Sequence, residues 1–294
     1  MKTYTNCPIC EGGKFSSYLT CKDNTGSDES FNIVKCASCN FAFTNPIPTE
    51  QEIGKYYESD EYISHSNTNK GVVNLLYQKV RNYTLDKKVS LLTNLGSGKN
   101  LLDVGSGTGE FLDRAEQHNF IVQGIEPSVT ARQQAISNFG LTVNEESFLP
   151  NLASATFDFI TMWHVLEHVY HLNDRVVELK RLLKDDGHLL IAVPNLNSYD
   201  AKRYKEHWAA YDVPRHLYHF SEKDIDKLAT KHGLQATQTL PMKFDSFYVS
   251  MLSEKYKTGN TNLISAFLNG LSSNLKAKSE GGFSSQVYIL KKVN

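Results

Sequence analysis

The stretch Leu101–Leu112, LLDVGSGTGEFL, constrains this chain more than any other. A short apolar run, of a length that suits a buried strand, meets three glycines, Gly105, Gly107 and Gly109, and continues at helical spacing. Glycine takes positive φ without steric cost, so such a turn lets the backbone double back sharply and approach a ligand closely. The carboxyl ends of strands in an open α/β sheet are where ligands bind. The turn therefore asks for a parallel sheet around it and for a ligand at its tip.

The sequence downstream supplies the sheet. Strand-like runs alternate with helical ones: NLLDVGS and a helix to about His118, FIVQGIE and a helix over 128–138, a weak strand LTVNE, then FDFITMW and a helix from about Asn173 to Leu183. GHLLIAVP follows, stopped by Pro194. Ser221 is placed to cap a helix that Gly233 ends. LQATQTL reads as a strand, about 40 residues read as helical, and SQVYILKK closes the chain as a strand. SSNLKAKSEGGFSS has the bias of a loop. Upstream, Thr49 and Glu52 have the spacing of a capping box for a short helix to about Tyr57. A longer helix is expected between about Lys70 and Leu95, with Val72, Val73, Leu76, Val80 and Tyr83 at helical spacing.

The glycine spacing separates two ligands. Dinucleotide sites use G-x-G-x-x-G, whereas here the pattern is G-x-G-x-G with Asp103 two residues ahead. Glu126 ends the second strand, where a carboxylate can accept from both ribose hydroxyls. Taken together, DVGSGTG, GIEPS, FDFITMWHVLEHV and LKDDGHLLIAVPN resemble, in order and distance, the motifs of the class I S-adenosylmethionine-dependent methyltransferases. The resemblance covers roughly residues 95–294 and is strongest to the branch containing the ubiquinone-biosynthesis O-methyltransferases. It implies an α/β fold: a Rossmann-like seven-stranded, mostly parallel sheet with helices on both faces and an antiparallel last strand, with a helical insertion at about 246–277. It implies S-adenosylmethionine as cofactor, held by Asp103, Gly105, Ser106, Gly107, Gly109, Glu126, Pro127, Ser147, Phe148 and Trp163. In that scheme Asp103 organises the methionine end, Glu126 holds the ribose, and Ser147 and Phe148 lie by the adenine. The blander alternatives are a tight turn for the glycines and a helix-capping acid for Glu126.

Four of the five cysteines form two pairs, Cys7-Pro8-Ile9-Cys10 and Cys36-Ala37-Ser38-Cys39, separated by 25 residues. Two such knuckles complete a tetrahedral zinc site with no open position, so a structural Zn2+ in a ribbon-like module over residues 1–46 is expected. Lys2, Lys14, Lys22 and Lys35 are balanced there by Glu11, Asp23, Asp28 and Glu29, and the whole chain carries a net charge of -1. Phosphate contacts need a basic surface, so this balance argues against nucleic acid as a partner.

Residues 47–98 are expected to form a helical linker or lid, and 99–294 the catalytic domain. Candidate catalytic residues are His164, directly after the fourth strand, and Tyr211 and His216 in the aromatic segment HWAAYDVPRHLYHF. His164, Glu167 and His168 make H-x-x-E-H, which with a third group could bind a divalent ion or could be structural. KYYESDEYISH at 55–65 could cover the cofactor or fill an interdomain core. The expected activity is methyl transfer to a small-molecule or carrier-linked acceptor, at oxygen. The rivals are an RNA or protein methyltransferase and a non-catalytic cofactor-binding protein; N-P-P-Y, typical of nucleic-acid amino methylation, is absent. No apolar h-region opens the chain and the run LLIAV is too short to span a bilayer, so a cytoplasmic location is expected.

Overall fold

The computed structural model describes residues 1–57 and 72–293. Strands β1 (Phe15–Lys22), β2 (Ser30–Cys36) and β3 (Ala42–Thr44) come first, then a 3-10 turn at Ile53–Tyr56 and helix α1 (Val72–Leu95). The alternating part follows: β4 (Asn100–Val104), α2 (Glu110–Glu116), β5 (Ile121–Ile125), α3 (Val129–Phe139), β6 (Val143–Asn144), β7 (Phe157–Trp163), α4 (Leu172–Leu182) and β8 (Leu183–Pro194). Helix α5 (Tyr199–Tyr204) opens the segment that ends in β9 (Tyr218–His219). The chain closes with α6 (Glu222–Lys231), β10 (Leu234–Pro241), α7 (Asp245–Thr258), α8 (Leu263–Glu280) and β11 (Ser285–Lys292). The side chains of Val72, Val73 and Leu76, and the aromatic cluster of 55–65 beyond Tyr57, lie outside the described residues.

Among the described residues the strands form two sheets. The larger has the order β10-β11-β8-β7-β4-β5-β6. Only β11 runs antiparallel to its neighbours; the other pairs are parallel. The expected seven-stranded sheet is thus the one that forms. Successive residues of a strand face opposite sides, and here both sides are dry. Leu102, Ile160, Met162, Leu189 and Ile191 enter one apolar cluster, while Leu101, Phe159, Leu190 and Ala192 enter another. That double burial is why these strands read as unbroken apolar runs.

Local signals explain most element ends. Ser128 caps α3 by accepting from the Ala131 N–H, and Gly140 ends it in the left-handed region. Ser221 and Asp224 form a reciprocal capping box on α6. The Thr49–Glu52 pair behaves differently. The Glu52 carboxylate accepts from both Thr49 N–H and Thr49 Oγ1, at 3.0 and 2.9 Å. The threonine hydroxyl is thereby spent on the carboxylate instead of on a helix N–H, and only the single turn Ile53–Tyr56 follows.

The segment SSNLKAKSEGGFSS is a loop only from Gly281 to Ser284. Helix α8 runs through it to Glu280 and stops at Gly281, φ 102°. Ser273 faces inward, its Oγ donating to buried Asp200 at 2.7 Å. The buried face of α8 is Ala266, Asn269, Gly270, Ser273 and Ala277, while Leu263, Ile264, Phe267, Leu268 and Leu275 are exposed. Reading lysine- and serine-rich sequence as loop fails wherever the small polar residues are the packed ones.

The second sheet has the order β1-β2-β3-β9. Its fourth strand comes from the segment after β8, with Ala42 opposite His219 and Phe43 opposite Tyr218. Thr44 tightens the join, its N–H donating to Leu217 O and its Oγ1 to His216 O, each at 2.9 Å. Cys7, Ile9, Cys36, Phe41, Phe43 and Ile47 share one apolar cluster with β4, β7, α4 and α6. Side chains of α4 and α6 hold the cysteine knuckles by their carbonyls: Asn173 on Pro8 O, Lys227 on Cys39 O and Lys231 on Ile9 O.

Arg215 locks this arrangement. It is 1% exposed. Its guanidinium donates to Asp212 in a two-point fork, to Tyr56 O at 2.8 Å and to Asp23 Oδ1 at 3.0 Å. Asp23, also buried, accepts four further bonds from Thr25 and Ser27. Removing one partner of a buried pair leaves a charge without compensation, at a cost of about 3–5 kcal/mol. Asp23→Ala should therefore lower unfolding stability by about that much in urea titration; a loss below about 1 kcal/mol would mean Arg215 is held adequately without Asp23.

Candidate active site

The glycine turn sits at the carboxyl end of β4, beside the end of β7. Gly105 has φ 79°, and a Cβ there would lie 2.3 Å from Val165 Cγ2, so no other residue fits without displacing the segment after β7. Gly107 has φ 55° with nothing within 4 Å of where its Cβ would be. The turn is thus tight against the protein on one side and open on the other. Gly107 N–H donates to Glu126 Oε2 at 2.8 Å, and Ser128 N–H to Glu126 Oε1 at 2.9 Å. One backbone bond to each oxygen orients this carboxylate and leaves lone pairs on both. Its bond to Ser128 is the capping role; its bond to the turn goes beyond it.

A cavity of about 220 Å3 opens beside the turn, lined by Asp103, Gly105, Ser106 and Trp163 and roofed by Arg81, Leu85 and Lys88 of α1. Ser106 Oγ and Trp163 Nε1 are both buried without a hydrogen-bond partner. A buried polar atom without a partner is costly, and two such atoms beside one cavity call for a polar ligand. Asp103 accepts from Thr161 Oγ1 at 2.5 Å. Burial pushes its pKa up to about 6, with Glu126 adding to the effect and Thr161 and Lys88 opposing it.

Arg81, Lys88 and Glu110 escaped the sequence reading. Arg81 pairs with Glu110, which also accepts from Thr108 Oγ1 at 2.6 Å. Half-buried Lys88 stands over the Trp163 ring at 4.1 Å, its pKa lowered by burial against the pull of Asp103 and Asp245. Nothing in the sequence separates Lys88 from its neighbour Lys87; only the docking of α1 over the sheet does.

A second group of polar residues follows β7. His164 has φ 56°. Its Nε2 is 3.0 Å from Asp245 Oδ2, at the start of α7, and its Nδ1 is 3.5 Å from Glu167 Oε1. Burial opposes its charge, but Asp245 and then Glu167 outweigh burial and push its pKa up to about 10. His164 is therefore an imidazolium at neutral pH and cannot serve as a base. His168 is the reverse case: burial, reinforced by His216, holds its pKa down to about 4. His216 lies edge-on to His168 with ring centres 4.6 Å apart, and its Nε2 is 4.0 Å from Glu167 Oε1.

The structure brings His164, Glu167, His168 and His216 together and places Asp103, Gly105, Ser106 and Trp163 around one cavity. It does not put Tyr211 with them. Tyr211 is buried edge-on to Trp208 and His219, facing the N-terminal sheet near Cys21. Pro127 and Ser147 are exposed, Ser147 Oγ donating to Glu145 at 2.6 Å. Phe148 packs against the apolar cluster. None of these three lines the cavity. The four cysteine sulfurs lie within 4.8 Å of one another, with no disulfide among them.

A methyltransferase domain model matches residues 77–239. The chain belongs to the methyltransferase domain family. As a family member it is 33% identical over 162 residues to a ubiquinone biosynthesis O-methyltransferase from Haemophilus ducreyi, covering 50% of this chain and 64% of that protein. It is 35% identical over 114 residues to the enzyme of the same name from Glaesserella parasuis, covering 35% and 48%. The chain thus spans less than two thirds of either relative. The methyltransferase fold is also that of magnesium protoporphyrin IX methyltransferase from Synechocystis PCC 6803: TM-score 0.53, 16% identity, 81% of this chain and 96% of that one. Within the described residues, no helix of this methyltransferase-family chain is long and apolar enough to cross a membrane.

Because Asp103 binds its proton more tightly folded than unfolded, it destabilises the ligand-free protein as pH rises from about 4 through about 6. Asp103→Asn keeps an acceptor for Thr161. It should raise stability at pH 8 by up to about 3 kcal/mol, and the gain should vanish below pH 4. Equal pH dependence in both proteins would show that Asp103 titrates normally.

Proposed function

We propose that this protein transfers a methyl group from S-adenosylmethionine to an oxygen of a small-molecule or carrier-linked acceptor. The observation that carries the reading is the cavity beside the glycine turn, with Ser106 Oγ and Trp163 Nε1 buried and unpartnered around it. Those groups suit the zwitterionic, phosphate-free methionine end: Asp103 and Glu110 for its ammonium, Arg81 and Lys88 for its carboxylate. Glu126, oriented by two backbone N–H groups, would accept from the ribose hydroxyls, with Pro127, Ser147 and Phe148 leading toward the adenine. Bound there, the cofactor supplies an electrophilic methyl on a sulfonium. The name shared by the curated relatives supports oxygen as the acceptor atom.

The chain's own task is then alignment, exclusion of water and removal of the acceptor proton. His164, charged and braced by Asp245, stabilises an acceptor oxygen as it loses its proton. His216 uses Nδ1 on Ala210 O at 2.8 Å, which turns Nε2 toward this side. Tyr211 supports the segment from behind. The sulfur set Cys7, Cys10, Cys36 and Cys39 matches Zn2+ in donor type and number, and a closed site of that kind holds structure and does no chemistry.

Calorimetric titration should show micromolar binding of S-adenosylmethionine by protein carrying about one zinc per chain. Glu126→Ala should weaken that binding by roughly 100-fold or more, since two hydrogen bonds to a carboxylate are lost. His164→Gln should bind the cofactor as wild type does while methyl transfer to a catechol or phenol probe slows at least about 10-fold. Folded, zinc-loaded protein that fails to bind S-adenosylmethionine would sink the reading.

A further inference from the structure

Helix α8 is amphipathic in the reverse of the usual sense. Its inward face is small and polar, and hydrogen bonds pin it there. Ser246 Oγ donates to Gly270 O at 3.1 Å, Asn269 Nδ2 to Glu254 Oε1 at 2.9 Å, and Ser273 Oγ to Asp200 Oδ1 at 2.7 Å. A Cβ on Gly270 would lie 2.9 Å from Phe247 Cα of α7, so any larger residue there would push the two helices apart. Rotating α8 to bury its leucines would break these bonds and press leucine against buried carboxylates. The outward orientation is therefore fixed by the fold. The stripe it presents is Leu263, Ile264, Phe267, Leu268, Leu271 and Leu275, each between 38 and 76% exposed. Phe247 of α7 extends the stripe by stacking on Phe267, ring centres 5.4 Å apart.

We infer that this stripe is the contact surface of a homodimer, in which α8 packs antiparallel against α8 of a second copy. Ile264, Leu268, Leu271 and Leu275 follow one another by four, three and four residues, the spacing of an apolar coiled-coil seam. A two-fold axis between Leu268 and Leu271 makes that seam self-complementary. Leu268 then meets Leu271 of the partner subunit, and Ile264 meets Leu275 of the partner subunit. The six side chains present on the order of 700 Å2 per chain, more than the largest apolar patch of a typical monomer and close to the about 800 Å2 each partner gives to a standard interface. No charged residue occurs from Leu263 to Leu275, and the core of an interface is where charge is depleted. A helix lying on a lipid surface instead carries lysine and arginine along a solvated polar face. The polar face of α8 is buried in its own chain, and Lys276 lies over the Tyr199 ring at 4.3 Å. A second copy therefore fits the stripe better than a membrane does.

Sedimentation equilibrium of the full chain is the test. At about 10 μM the wild type should sediment with the mass of two chains, since interfaces of this size support micromolar association or tighter. Leu268→Lys and Leu271→Glu each put an unpaired charge into the seam, and each variant should sediment as a monomer. Both side chains face outward, so circular dichroism should show the wild-type fold. Mixed one to one, the two variants should dimerise again: the new lysine of one meets the new glutamate of the other, while leucine still meets leucine across the axis. Should either variant lose its fold, Leu275→Glu, at the most exposed position of the stripe, should give the monomer instead. A wild type still monomeric at about 100 μM overturns the proposal, as does a dimer that none of the substitutions disturbs. Failure of the mixture to dimerise overturns the antiparallel pairing. A monomeric wild type that cosediments with vesicles of phosphatidylcholine and phosphatidylglycerol also overturns the dimer and gives the stripe to lipid.

Discussion

A guanidinium in a dry interior must find an acceptor for every donor or destabilise the fold, and Arg215 meets that demand with groups from three separate places. Asp212 comes from its own segment, the Tyr56 carbonyl from the turn before α1, and Asp23 from the hairpin β1–β2. Satisfying one side chain therefore fixes the mutual position of the N-terminal sheet, the approach to α1 and the segment that carries His216. The neighbouring backbone follows. Leu217 N–H donates to Glu167 O at 2.8 Å, and the next two residues become β9.

From that clamp a line of charged and titratable groups runs into the fold: Asp23, Arg215, Asp212, His216, Glu167, His164, Asp245, Lys88, Asp103. Opposite charges alternate along much of it, which is how so many ionisable groups can share a poorly hydrated region. It also explains why two histidines only four residues apart in sequence behave oppositely. His164 faces two carboxylates and stays charged, whereas His168 faces another histidine and stays neutral.

Much of the fold was legible because its determinants are local. Strands buried on both faces read as apolar runs, and Ser221 and Gly233 mark helix ends by backbone chemistry. The glycine turn and Glu126 were legible for the same reason. What escaped depends on packing. Lys88 becomes notable only when α1 lies over the cavity, and Tyr211 is turned away from it because Trp208 and His219 enclose the ring. The end of α8 looked like a loop because its buried face is made of serine and alanine. The fourth strand of the small sheet was invisible, since two residues, Tyr218 and His219, form it only once Phe43 and Ala42 are beside them.

That borrowed strand has a practical bearing on where this polypeptide can be cut. The family match begins at residue 77, and an expression boundary drawn there would look safe by homology. It would remove β1, β2 and β3, leave β9 as an unpaired edge, strip Arg215 of Asp23 and Tyr56, and expose Phe220 and the apolar faces of α4 and α6 that the cysteine knuckles cover. The smallest piece that can fold as this protein does is set by a salt bridge across 192 residues of sequence, so the unit that folds is larger than the unit that aligns.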